Sequence, residues 1–109
     1  MDVAVAIYRV TRDFPKHEQY GLISQMQRAA VSIPANIAEG HARSSTKDYL
    51  RFLAIAQGSI AELETQLLLA RRLEYGDPES QSEVLASLDE VGRMLRGLQL
   101  ALKRKLPRK

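Results

Sequence analysis

The sequence contains no cysteine and no tryptophan. Without thiols there is neither a disulfide framework nor a thiolate metal site, and a reducing compartment is the natural expectation. Long hydrophobic stretches are also missing. Apolar runs such as Leu67 to Ala70 are far shorter than a bilayer requires, and the opening "MDVAVAIYRV" has no basic leader before a long apolar core. A cytoplasmic protein without membrane association is therefore expected. Its 109 residues suit one domain with a modest core, 1–109, in which oligomerisation would add stability.

Charge is sparse as a net quantity but uneven in placement. Five of the sixteen Lys and Arg lie in the last seven residues, "KRKLPRK", so Met1 to Leu102 carries 11 basic against 13 acidic groups. The basicity belongs to a C-terminal tail at 103–109. Such a tail is either a solvated helix end or a binding element for nucleic acid or another polyanion.

What the chain does have is helical periodicity. Val3, Ile7, Val10 and Phe14 repeat at four-three-four spacing over Asp2 to Asp13, and Pro15 ends that segment. From Lys16 to His41, the stripe Ile23, Met26, Ala30, Ile33, Ile37 and Gly40 continues through Pro34, which predicts one bent helix rather than two. Ser45 with Asp48 has the spacing of a capping box. The helix beyond it carries Leu53, Ala56, Ile60, Leu63, Leu67 and Ala70 on one face and is expected to reach Tyr75, about 40 Å at 1.5 Å per residue. Gly76 breaks the chain, Asp77 is an N-cap candidate, and Pro78 suits a first helical position. Val84, Leu88, Val91, Leu95, Leu98 and Leu102 then share one face of a last helix. These elements predict an all-α, antiparallel up-and-down four-helix bundle.

Two helices carry a second pattern beside the core stripe. On the third, Ile55, Gly58, Glu62, Thr65 and Leu69 lie almost opposite it, as expected for a face covered by another subunit. On the second, Gln25, Arg28, Ser32, Asn36, Glu39 and Arg43 form a polar seam. A structural network that sets helix register is the reading the seam favours over a catalytic site.

The segment Phe14 to Ala70, above all "SIPANIAEG" and "AQGSIAELETQL", resembles a bacterial four-helix-bundle family. That family includes proteins encoded in intervening sequences of large-subunit ribosomal RNA genes and the accessory variability proteins of diversity-generating retroelements. The resemblance implies a homopentameric barrel of four-helix protomers. In the retroelement branch it also implies a basic, nucleic-acid-binding accessory that associates with a reverse transcriptase. Ser32, Pro34, Asn36, Glu39, Gly40, Gly58, Ser59 and Glu62 occupy the family's motif positions, which carry architecture and no known catalytic role.

Enzymatic readings gain little from the residues. A di-iron bundle needs Glu-x-x-His pairs, and no Glu here has His three residues later. A helical ribonuclease of the HEPN type is matched only by "RDFPKH", Arg12 to His17, a spacing that a chain of this composition meets about half the time by counting. The expectation is a non-enzymatic scaffold or nucleic-acid-binding accessory with no cofactor. The alternatives are an intervening-sequence protein of other role or, behind it, a HEPN-like ribonuclease. The binding surface is assigned to Arg93, Arg96, Lys103, Arg104, Lys105, Arg108 and Lys109, opposite the apolar stripe of the last helix, with RNA or DNA as ligand.

Overall fold

The computed structural model describes residues 2–107, so Arg108 and Lys109 lie outside the described residues. Among the described residues the chain forms α1 (Asp2–Thr11), a single 3-10 turn (Lys16–Glu18), α2 (Leu22–His41), α3 (Thr46–Arg72) and α4 (Pro78–Lys103). Each helix packs against its neighbours in the order α1, α2, α3, α4 and back to α1, producing an up-and-down bundle 52 Å long and 23 × 21 Å across. The short α1, about 15 Å at 1.5 Å per residue, flanks only part of that length. No helix among the described residues is long and apolar enough to cross a membrane.

The core follows the spacing of the apolar residues. Val3, Ile7, Val10 and Phe14 are buried, as is the whole α3 stripe from Leu53 to Ala70. On α4, Val84, Leu88, Leu95 and Leu102 are buried, while Val91 and Leu98 are partly buried at the margin. Ile37 is likewise marginal on α2. The expected caps form: the amide of Asp48 donates to Ser45 Oγ at 3.2 Å, and that of Ser80 to Asp77 Oδ2 at 3.1 Å.

Three boundaries differ from expectation, each for a local reason. Helix α1 stops at Thr11, two residues before Asp13. The amides of Arg12 and Phe14 then bond back to Arg9 and Thr11 in turns leading to Pro15. Helix α2 begins at Leu22 rather than Lys16, because Gly21 takes non-helical angles and Glu18 Oε1 accepts the Leu22 amide at 3.2 Å. Helix α3 ends at Arg72, short of Tyr75. Glu74 adopts φ +61°, the amide of Tyr75 bonds to the Ala70 carbonyl at 2.9 Å, and that of Glu74 bonds to the Arg71 carbonyl at 3.0 Å. This paired closure of a helix end usually takes glycine at the left-handed position.

Helix α2 runs unbroken through Pro34. Its register against α3 is set by the motif residues. Asn36 Nδ2 donates to the Ser32 carbonyl at 2.7 Å and to Ser32 Oγ at 2.9 Å, while Ser59 Oγ donates to Ser32 Oγ at 2.8 Å. One turn further on, a Cβ at Gly40 would stand 2.9 Å from Phe52 Cβ and 3.2 Å from the Tyr49 carbonyl oxygen. The α2–α3 approach there is open only to glycine.

Candidate nucleic-acid interface

The α3–α4 register is fixed by Gln57, whose Nε2 donates to the Gly92 carbonyl at 3.0 Å and to Gln99 Oε1 at 3.2 Å. Arg51 lies six residues before Gln57, about 9 Å, and Arg104 lies five after Gln99 and twelve after Gly92, about 8–18 Å, so both stand beyond that tie in the same direction. The end of α4 therefore shares one end of the bundle with the turn between α2 and α3. That turn region carries Arg43, Lys47 and Arg51, at the same end of the bundle as Lys103, Arg104 and Lys105. Residues 38–52 and 103–109 together hold eight of the sixteen Lys and Arg but two of the thirteen Asp and Glu.

Both of those acids are engaged locally. Glu39 Oε2 meets Arg43 Nη2 at 2.8 Å, and Asp48 Oδ1 lies 3.7 Å from Arg51 Nη2. Phe52 holds the two guanidinium groups near its ring, at 5.1 Å for Arg43 and 4.5 Å for Arg51. Cation–π contact orients them while leaving their N–H groups able to donate. Among the described residues Lys47, Lys103, Arg104 and Lys105 form no ion pair and are exposed.

The structure separates Arg93 and Arg96 from this end. Arg93 precedes Lys103 by ten residues, about 15 Å along α4, and pairs with Asp89 at 2.8 Å. Arg96 lines a groove between α3 and α4 with Gln57, Glu64 and Asp89, so carboxylates share its surroundings. Arg43, Lys47 and Arg51 were not assigned from the sequence. The signal was nevertheless present: in an up-and-down bundle the α2–α3 turn and the α4 C-terminus must coincide.

The motif seam forms its own cleft of about 200 Å³, lined by Gln25, Arg28, Ser32, Ser59 and Glu62. Glu62 Oε2 is 3.5 Å from Gln66 Nε2, while Gly58 is exposed and a Cβ there would meet nothing within 4 Å. Arg12 and His17 have different surroundings. Arg12 lines the cleft between α1 and α2, whereas His17 Nε2 lies 3.4 Å from Tyr75 Oη and 3.8 Å from Glu18 Oε2. Tyr75 Oη donates to Glu18 Oε2 at 3.0 Å. The Leu22 amide and then this phenol hold the Glu18 carboxyl below its ordinary range, and the same carboxylate pushes the Tyr75 phenol up. Among the described residues no group of three or more His, Asp or Glu is placed to hold a metal ion.

Four antiparallel helices with a register-setting motif define the class of the protein as an up-and-down four-helix bundle. Residues 1–97 match the model of the 23S rRNA-intervening sequence protein family, and the chain belongs to that family. A solved structure of a protein with unknown function from the S23 ribosomal protein family of Bacteroides thetaiotaomicron VPI-5482 is similar. The two superpose with a TM-score of 0.82 at 26% identity, covering 90% of this chain and 88% of that one. No curated protein matches the chain.

Proposed function

We propose that this chain is a non-enzymatic accessory protein that binds RNA or DNA through the basic end of its bundle. The observation that carries the reading is that exposed Lys47, Lys103, Arg104 and Lys105 lie at the same end of the bundle as Arg43 and Arg51, where Glu39 and Asp48 are already paired. Charges of this kind on flexible stems favour phosphate contacts with weak dependence on sequence. Arg108 and Lys109 continue the same run in the sequence.

The protein acts as a homo-oligomer, a pentamer by the family resemblance. The exposed second stripe of α3 supports this reading, with Ile55 at 43% and Leu69 at 48% exposure on either side of an unobstructed Gly58. Repetition around a ring would present several basic ends together and raise avidity without strengthening any one contact. If the chain serves a diversity-generating retroelement, the reverse transcriptase is the protein partner, and co-purification after co-expression tests that branch.

Fluorescence anisotropy over a salt series tests the binding surface. Deleting 103–109 removes five positive side chains. The slope of log affinity against log salt is expected to fall by up to about 4.5 per engaged subunit on duplex, at roughly 0.9 per phosphate contact. Undiminished affinity and slope in an intact oligomer would reject the basic end.

A further inference from the structure

At the opposite end of the bundle, α1 and α2 diverge around a cleft of about 370 Å³, near the lower end of the roughly 300–1,000 Å³ typical of small-ligand sites. Tyr8 lines it with 48% of its surface exposed, and Arg12 and Lys16 stand at its rim. Among the described residues neither cation forms an ion pair. Gln27 is held across the cleft, its Nε2 donating to Thr11 Oγ1 at 3.2 Å while that hydroxyl donates to the Ile7 carbonyl at 2.9 Å. The bond fixes the carboxamide and leaves Oε1 without a partner among the described residues. A half-exposed aromatic ring, two cations and an oriented acceptor thus line one cleft together with buried Ile23.

We propose that this cleft binds one nucleotide of a single strand, with the base against Tyr8, the phosphate on Arg12 and Lys16, and a base N–H on Gln27 Oε1. Aromatic stacking accepts any base, and the phosphate supplies the charge that two adjacent cations require. The cleft excludes duplex, whose bases remain stacked inside the helix and present no free face. The inference rests on the nucleic-acid reading for its class of ligand but uses none of the residues of the basic end.

The test measures binding of the full chain to fluorescein-labelled decauridylate and to a labelled blunt RNA duplex. Circular dichroism and light scattering accompany each variant. Tyr8→Ala is expected to weaken decauridylate binding by roughly five- to hundredfold, the range for one lost stacked base, and to leave duplex binding within about twofold. Tyr8→Phe keeps the stacking face and is expected to restore affinity, and Arg12→Gln with Lys16→Gln to weaken the single strand alone. Tyr20 is 95% exposed and outside the cleft lining, so Tyr20→Ala is expected to bind as the unaltered chain does. A folded Tyr8→Ala protein with undiminished decauridylate affinity, or with equal loss on both probes, would overturn the inference. So would equal loss in Tyr20→Ala. Displacement by uridine monophosphate at the concentration effective for the oligomer would replace the strand by a free nucleotide. Deletion of 103–109 separates the two sites: if it changes neither probe, the basic-end reading fails while the Tyr8 series still decides the cleft.

Discussion

Ser59 Oγ donates to Ser32 Oγ at 2.8 Å across the α2–α3 interface, joining two motif segments 27 residues apart. Ser32 Oγ also accepts from Asn36 Nδ2, so the two serines are not equivalent. Ser32→Ala strands the buried Ser59 hydroxyl and is expected to cost about 1–3 kcal/mol, whereas Ser59→Ala leaves Ser32 with Asn36 and should cost about 0.5–1.5 kcal/mol. Urea denaturation of both singles and the double mutant measures the difference. A coupling of at least about 0.5 kcal/mol is expected for residues in one network.

Gly40 and Gly97 make a second matched pair. Both are helical, yet a Cβ at Gly40 would press on Phe52 Cβ and the Tyr49 backbone, while at Gly97 it would meet nothing within 4 Å. Alanine gains up to about 1 kcal/mol of helix propensity at either site. At Gly40 that gain is outweighed by overpacking of about 1–3 kcal/mol, because the opposing atoms are backbone and Cβ and cannot swing away. Thermal melts are expected to fall for Gly40→Ala and rise for Gly97→Ala.

The bond from Tyr75 to Glu18 ties the loop after α1 to the loop after α3 and has a defined pH window. Glu18 is depressed when folded, by the Leu22 amide and then Tyr75, so its contribution is present above its ordinary value of 4.5 and is lost as pH falls through the lower folded value. Tyr75 is raised by Glu18, so its contribution is present below 10.0 and is lost as pH rises through the higher folded value. Tyr75→Phe is expected to shift the acid unfolding midpoint upward and to leave the Leu22 amide bond as the remaining support. Chemical denaturation across pH 3 to 7 checks this; an unchanged acid limb would remove Tyr75 from the account.

Assembly is tested at the outer face of α3. Gly58 is unobstructed within the protomer, so Gly58→Leu should keep full helicity while lowering the mass seen by light scattering. Ala61 lines the α3–α4 groove instead, and Ala61→Leu is expected to leave the oligomer intact. Equal effects of the two substitutions would count against the α3 face as the interface.

The helices, their inward faces and two of their caps were legible in the sequence because each depends on neighbours within one or two turns. Apolar spacing gives the angle at which Leu53 or Leu88 points, and Ser45 and Asp77 meet amides only three residues away. Periodicity carries no information about which axial levels of two helices coincide. Packing settled the Ser32–Ser59 register, the glycine-only approach at Gly40 and the tie from Gln57 to Gln99. The basic end shows the same division. Its tail was visible as a local run of charge, and its sharing of an end with Arg43, Lys47 and Arg51 follows from the up-and-down topology, but the stacking of Arg43 and Arg51 on Phe52 and the engagement of Arg93 by Asp89 required side chains placed in space. Local hydrogen bonding and side-chain spacing wrote the elements into the sequence, whereas contacts between distant segments exist only once the chain has closed on itself and buried the surfaces that hold them together.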